Sequence, residues 1–161
     1  MAKTNESSVE FCFLAEPTDV NFGGKVHGGM VMKWIDQASY ACAAKWSKRY
    51  SVTVSANGIR FIRPILVGQM ITVTAQIVHT GRSSMHIYVV VRACDPKEHN
   101  YVVTNRCFIT FMATDESGYP VKVNKFNPIT EEDKMLEQVA MHAKEFAVKL
   151  DQDFENKLGW K

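Results

Sequence analysis

Apolar and polar positions change their period several times along the chain, and each change marks an element. Val9 to Leu14 is rich in β-forming residues and predicts a first strand. From Pro17 the chain reads as a loop that ends in four glycines within seven residues, at Gly23, Gly24, Gly28 and Gly29. Such a loop permits unusual backbone angles and a close approach of main chain to a ligand. From about Gly29 to Ser47 the pattern becomes helical. Met30, Trp34, Ala38, Ala41, Cys42 and Trp46 recur at steps of three and four. This helix is mostly apolar, and Ala38, Ser39, Ala41, Ala43 and Ala44 keep it slim enough to lie close against a sheet.

Beyond the helix the period drops to two. Val52, Val54 and Ala56 alternate with Thr53, Ser55 and Asn57, and the strand runs on through Ile59 and Phe61 until Pro64. Met70 to Val78 alternates again through Ile71, Val73, Ala75 and Ile77. His79 to Ser84 reads as a turn, and Met85 to Arg92 as the returning strand. Tyr101 to Ala113 is a further long strand, closed by a turn at Asp115 to Gly118. Thr130 then predicts a helix N-cap with Asp133 at the capping-box position. Leu136, Val139, Ala140, Ala143, Ala147 and Leu150 form one apolar stripe, so residues 131–158 read as a long amphipathic helix. Strand, buried helix, long strands and a closing helix are segregated rather than alternating. This argues for an α+β fold in which a meander of antiparallel strands curls around the first helix. The expected organisation is a weakly held start over residues 1–8, one domain over 9–127 and a C-terminal helix over 128–161.

Composition narrows the function. The 161 residues are 46% hydrophobic, which suits one ordinary domain. A net charge of +2 is too weakly basic to suggest nucleic acid or a membrane surface. The start is polar, with no secretory signal, and no run of apolar residues is long enough to span a bilayer, so a cytoplasmic location is expected by elimination. Cys12, Cys42, Cys94 and Cys107 form no C-x-x-C pair and read as free, mostly buried thiols. The histidines give no metal spacing, and no nucleophile elbow, Walker loop or dinucleotide fingerprint occurs. No metal and no cofactor are expected.

Asp36 is the chemically informative residue. A carboxylate inside the most apolar helix is expensive unless it is paired or reaches water. One reading puts it on an exposed stripe with Lys33 and Gln37. The other makes it a base at a water-accessible cleft. His27-Gly28-Gly29 opens the same helix, where unpaired amides and the positive dipole end suit an oxyanion. About seven residues separate Gly29 from Asp36, roughly 10 Å of helix. A single substrate reaches both only if another element, such as one from a partner subunit, folds over them. Asn21 reads as a turn residue whose amide could instead orient water or polarise a carbonyl, and His27 as structural. Gly81, Arg82, Ser83 and Ser84 form a turn with a cation and two hydroxyls, suited to a phosphate, and Arg60 and Arg63 add positive field. Met30, Trp34, Phe61 and Met85 are candidates for an acyl tunnel or plain core.

Three ordered blocks carry a resemblance. Asn21 to Asp36, Ile59 to Gly68 and Gly81 to Met85 are together similar to the hotdog-fold cytosolic acyl-CoA hydrolases, over roughly residues 10–125. The resemblance implies a long central helix wrapped by a curved antiparallel sheet. It implies a homodimer with two sheets joined edge to edge, assembling further as a trimer of dimers, with acyl-CoA sites at the dimer interface. Asp36 then activates water or attacks the thioester directly, an amide at Gly28 or Gly29 holds the thioester oxygen, and Asn21 acts from the facing half-site. His27, Thr53, Ser55, Arg60, Arg63 and the Gly81–Ser84 turn fall around the substrate and its coenzyme A, which is part of the substrate rather than a cofactor. A non-catalytic acyl-CoA or lipid-binding module on the same fold is the alternative. A hotdog dehydratase fits less well, because its catalytic histidine sits in a different local setting from His27.

Overall fold

In the computed structural model, which describes residues 6–160, the segments read as strands become five antiparallel strands and the period-3.6 segments two long helices. In chain order these are β1 (Ser8–Leu14), α1 (Gly28–Ser47), β2 (Ser51–Phe61), β3 (Met70–Thr80), β4 (Ser84–Cys94), β5 (Val102–Ala113) and α2 (Glu131–Leu158). A short 3₁₀ turn at Pro17–Asp19, not foreseen from the sequence, follows β1. The expected weak start over residues 1–8 lies mostly outside the described residues, and Ser8 already belongs to β1.

Alternation along the strands supplies one apolar face. Ile71, Val73, Ala75 and Ile77 of β3 and Met85, Ile87, Val89 and Val91 of β4 are all fully buried, with Ile109 and Phe111 of β5 beside them. Ile35, Ala38, Cys42 and Ala43 of α1 lie on this face with no exposed surface. Each large aliphatic side chain removed from water contributes about 1.5–3 kcal/mol, so α1 is held mainly by burial. Its small residues let it lie close in the hollow of the sheet. Trp34 packs edge-on against Phe13 of β1, with ring centroids 4.9 Å apart.

The strand order is β1-β3-β4-β5-β2. The predicted meander therefore holds for β3, β4 and β5 but not for β2. That strand leaves α1 at the opposite edge and pairs with β5, from Ser51 opposite Ala113 to Phe61 opposite Asn105. Lys48 ends α1 in the left-handed conformation at φ 56°, and its amide bonds to the Ala44 carbonyl, so the chain turns directly into that edge. Periodicity identifies a strand but carries no information about its neighbours.

β2 is also irregular. An extra residue at Val54 separates Thr53, opposite Phe111, from Ser55, opposite Thr110. A second irregularity between Asn57 and Arg60 contains Gly58 at φ 63°.

α2 crosses the outer face of the sheet. Thr130 and Asp133 form a reciprocal capping box at its start. Gln76 Nε2 donates to Asp133 Oδ1 at 3.1 Å, and His79 Nδ1 lies 2.8 Å from Glu137 Oε1. Only Ala140 is fully buried, and Val139 and Leu150 of the predicted stripe remain about half exposed. Among the described residues no helix is long and apolar enough to cross a membrane. All four cysteines are unpaired, Cys12 exposed and the others buried. Burial pushes the thiols of Cys42 and Cys107 up to about 12, which keeps them as inert thiols.

Candidate active site

The glycine-rich loop is folded by its own polar groups. Asn21 Oδ1 accepts the amides of Gly23 at 2.9 Å and Lys25 at 3.2 Å. The His27 amide bonds back to the Asp19 carbonyl and that of Val26 to Ile65, which fixes the entry into α1. His27 is the N-cap, and its ring Nδ1 accepts the Gly29 amide at 2.8 Å. A Cβ on Gly29 would sit 3.0 Å from that nitrogen, so glycine is what allows the ring to close over the helix start. The Gly29 amide is therefore occupied. Met30 and Val31 donate to the His27 carbonyl, and among the described residues the Gly28 amide makes no hydrogen bond. Of the two glycine amides considered from the sequence, Gly28 offers the open donor at the positive end of the helix.

Asp36 is half-buried on the border of the exposed stripe that carries Lys33 and Gln37. Its partner is neither of them. Thr53 Oγ1, reaching in from β2, donates to Asp36 Oδ1 at 2.7 Å. Charge-assisted hydrogen bonds of this length fix a carboxylate's orientation. The Val54 bulge separates Thr53 from Ser55, which would share a face in a regular strand. Thr53 turns toward α1, whereas Ser55 lies on the outer face against α2.

Asn21 and Gly28 rim a cleft of about 320 Å³ whose walls include Val31, Phe61, Arg63 and Asn105. Arg63 is braced by donating from Nη1 to the Val103 carbonyl at 3.0 Å. Asp36 is not part of this cleft. Gly28 and Asp36 are eight residues apart on α1, about 12 Å along the axis. Within one chain the structure thus holds two groups, an amide cleft and a carboxylate–hydroxyl pair. It does not bring them onto one small substrate.

The remaining candidates lie elsewhere. Ser55 and Ser84 line a second cleft of about 260 Å³ between α2 and the outer face, with His86, Thr110 and Lys144. His86 Nδ1 pairs with the Thr110 hydroxyl, but its buried Nε2 has no partner among the described residues. Burial, followed by the charges of His79 and Lys144, lowers the His86 imidazole to about 4. A Cβ on Gly81 would meet the Ser84 hydroxyl, which would have to turn away. The carbonyls of Arg82 and Ser83 accept from Val123 and Ala113, while the Arg82 side chain is exposed. Arg60 sits directly opposite Arg106, and both are exposed. Two like charges in register repel unless an anion lies between them. Sequence reasoning passed over Arg106, His86 and Asn105. Asn105 did leave a signal, as a polar residue in the apolar row Cys107, Ile109, Phe111 and Ala113. Among the described residues no cluster of His, Cys, Asp or Glu could hold a metal ion.

Known proteins are similar to this chain in sequence and fold. Residues 23–98 match the model of the thioesterase superfamily. The protein VdlD of Helicobacter pylori is 32% identical over 133 residues, which cover 83% of this chain and 76% of that one. The uncharacterized acyl-CoA thioester hydrolase YkhA of Bacillus subtilis is 33% identical over 129 residues, 78% of this chain and 73% of that one. The crystal structure of an apo-hexameric acyl-CoA thioesterase superposes with a TM-score of 0.87 at 33% identity, covering 91% of this chain and 94% of that one.

Proposed function

The chain belongs to the thioesterase superfamily, among its hotdog-fold acyl-CoA thioester hydrolases, and from that premise we propose that Asp36 is the general base for hydrolysis of an acyl-CoA. The observation that carries this reading is the half-buried carboxylate of Asp36, held by Thr53 at 2.7 Å, on the helix whose first amide is open at Gly28. Asp36 takes a proton from water as the water oxygen attacks the thioester carbonyl. The Gly28 amide and the helix dipole stabilise the oxyanion that forms. The tetrahedral intermediate collapses, the C–S bond breaks, and coenzyme A leaves as a thiolate that takes up a proton. Thr53 acts as a positioning residue that keeps one carboxylate oxygen engaged and leaves the other for water.

The separation of about 12 Å along α1 supports a site shared between two copies of the chain. In this reading Gly28 and Asn21 of one protomer face Asp36 and Thr53 of its partner. The free edge of β2 supports the same arrangement, with Tyr50, Val54 and Phe61 each more than half exposed on or beside it. A hexamer like that of the solved relative would contain three such pairs. Asn21, whose oxygen is tied to the loop, offers its amide nitrogen to the thioester oxygen, and His27 shapes the helix start around it. For the phosphates of coenzyme A the available cations are Arg60 with Arg106 opposite, Arg63, and Arg82 beside the hydroxyls of Ser83 and Ser84, with Ser55 nearby.

Thiol release from short-, medium- and long-chain acyl-CoAs tests the reading. Asp36→Ala and Asp36→Asn are expected to lower kcat by about 10² to 10⁴-fold, the range of a lost general base. Hydrolysis by Asp36→Ala at the wild-type rate would overturn the assignment. Coenzyme A binding without turnover of any chain length would favour the non-catalytic module instead.

A further inference from the structure

Asn105 is 1% exposed on the inner face of β5, in register with Phe61 of β2 and Val91 of β4. Its neighbours on that face, Cys107, Ile109, Phe111 and Ala113, are core residues. Among the described residues neither its Oδ1 nor its Nδ2 has a hydrogen-bond partner. An unpaired amide in the interior is costly, and a leucine of similar shape would avoid the cost altogether. Asn105 lines the cleft of about 320 Å³ that Asn21 and Gly28 rim, beside the apolar Val31, Phe61 and Ile65 and the charged Lys25 and Arg63. A pocket holds its ligand by its apolar walls and selects it by a few placed polar groups.

We propose that Asn105 is a specificity-determining residue that binds a hydroxyl carried on the acyl chain a few bonds from the thioester. This rests on the reading of the Gly28 cleft as the carbonyl end of a thioesterase site. A carboxamide offers one acceptor and two donors, and a hydroxyl is the smallest group that both gives and takes. Its O–H meets Oδ1 while its oxygen accepts from Nδ2. A plain alkyl chain meets neither atom and leaves the amide stripped of water. Sites built around a buried hydrogen bond discriminate strongly against ligands that lack the partner group.

The test compares 3-hydroxybutyryl-CoA with butyryl-CoA on the full-length wild type and on Asn105→Leu. Two readouts are taken, kcat/KM for the thioesters and calorimetric Kd for the non-hydrolysable thioethers S-(3-hydroxybutyl)-CoA and S-butyl-CoA. The wild type is expected to favour the hydroxylated member by about tenfold or more in both. Asn105→Leu is expected to bring both ratios close to one, with a Tm no lower than wild type because an unpaired polar group has left the core. Equal ratios in the two proteins, or no preference in the wild type, overturn the proposal. Should the leucine variant fail to fold, Asn105→Ala is compared in the same way. Turnover of both thioesters without preference sinks the role of Asn105 and leaves the hydrolase reading intact. A binding preference for the hydroxylated thioether without turnover of any acyl-CoA sinks the hydrolase reading and leaves Asn105 standing.

Discussion

At the scale of single residues, the site depends on which oxygen is already engaged. Thr53 occupies one oxygen of Asp36, so Thr53→Val removes a charge-assisted bond without altering the shape of the strand. A loss of about 1.5–3 kcal/mol of positioning corresponds to a fall in kcat of roughly ten- to a hundredfold, with KM changing less. Steady-state kinetics on a variant that retains its wild-type Tm checks this, and an unchanged kcat would remove Thr53 from the mechanism. Asp36 was legible as an anomaly because a carboxylate does not belong on an apolar helix. Its partner was not legible from pattern. Strict alternation groups Thr53 with Ser55, and only the extra residue at Val54 sends the two to opposite faces. The use of the Gly29 amide by its own N-cap was equally hidden, since a histidine before two glycines carries no mark of which amide its ring will take.

At the scale of elements, both helices and the strands β2 and β3 can be read from periodicity, because burial of one face imposes the period, while β1 shows in its β-forming residues and β4 and β5 in the turns that bound them. The order of strands cannot be read, and β4 and β5 separate β2 from its sequence neighbour β3. The contact between α2 and the sheet has a titration built into it. His86 faces His79 from β3, Lys144 and Asp151 from α2, and the Thr110 hydroxyl from β5, with Glu137 of α2 paired to His79. Its imidazole is lowered from 6.5 to about 4. The unfolded chain therefore binds the extra proton first as pH falls. The stability associated with a neutral His86 is complete above about pH 6.5 and is lost on descent toward pH 4, by up to about 3 kcal/mol. Urea midpoints measured from pH 7.5 to 4.5 should fall more steeply for the wild type than for His86→Gln. Parallel profiles would show that His86 does not govern the slope.

At the scale of the whole molecule, the sheet has two free edges, β1 and β2, and the site groups sit toward the β2 side without meeting. A shared site makes a prediction that a self-contained site does not. Asn21→Ala and Asp36→Asn should each be nearly inactive alone, yet mixing them under conditions that exchange subunits should restore activity. Each mixed pair then contains one site with both residues intact and one with neither. Recovery of thioester hydrolysis on mixing is the expected result, and its absence despite subunit exchange shown by mass spectrometry would place each site within one chain. The sequence carried the two clusters and, through the rise of a helix, the distance between them. That distance follows from α1 running unbroken from Gly28 past Asp36.

The extra residue in β2 also bears on how this chain can change. Substitutions along the strand alter one side chain at a time, and loss of Val54 would only close the bulge, with Thr53 still opposite Phe111 and Ser55 still opposite Thr110. Were Val54 retained but drawn into the ladder opposite Thr110, Thr53 could keep its pairing only if Ser55 turned inward, or Ser55 could keep its face only if Thr53 left Asp36. The loop between β4 and β5 imposes no such parity, because residues added at Asp95–Asn100 leave both flanking ladders in step. Length variation among descendants of this sequence should therefore gather in that loop and, near the site in β2, be confined to the unpaired position at Val54, whose loss leaves Thr53 and Ser55 on their faces.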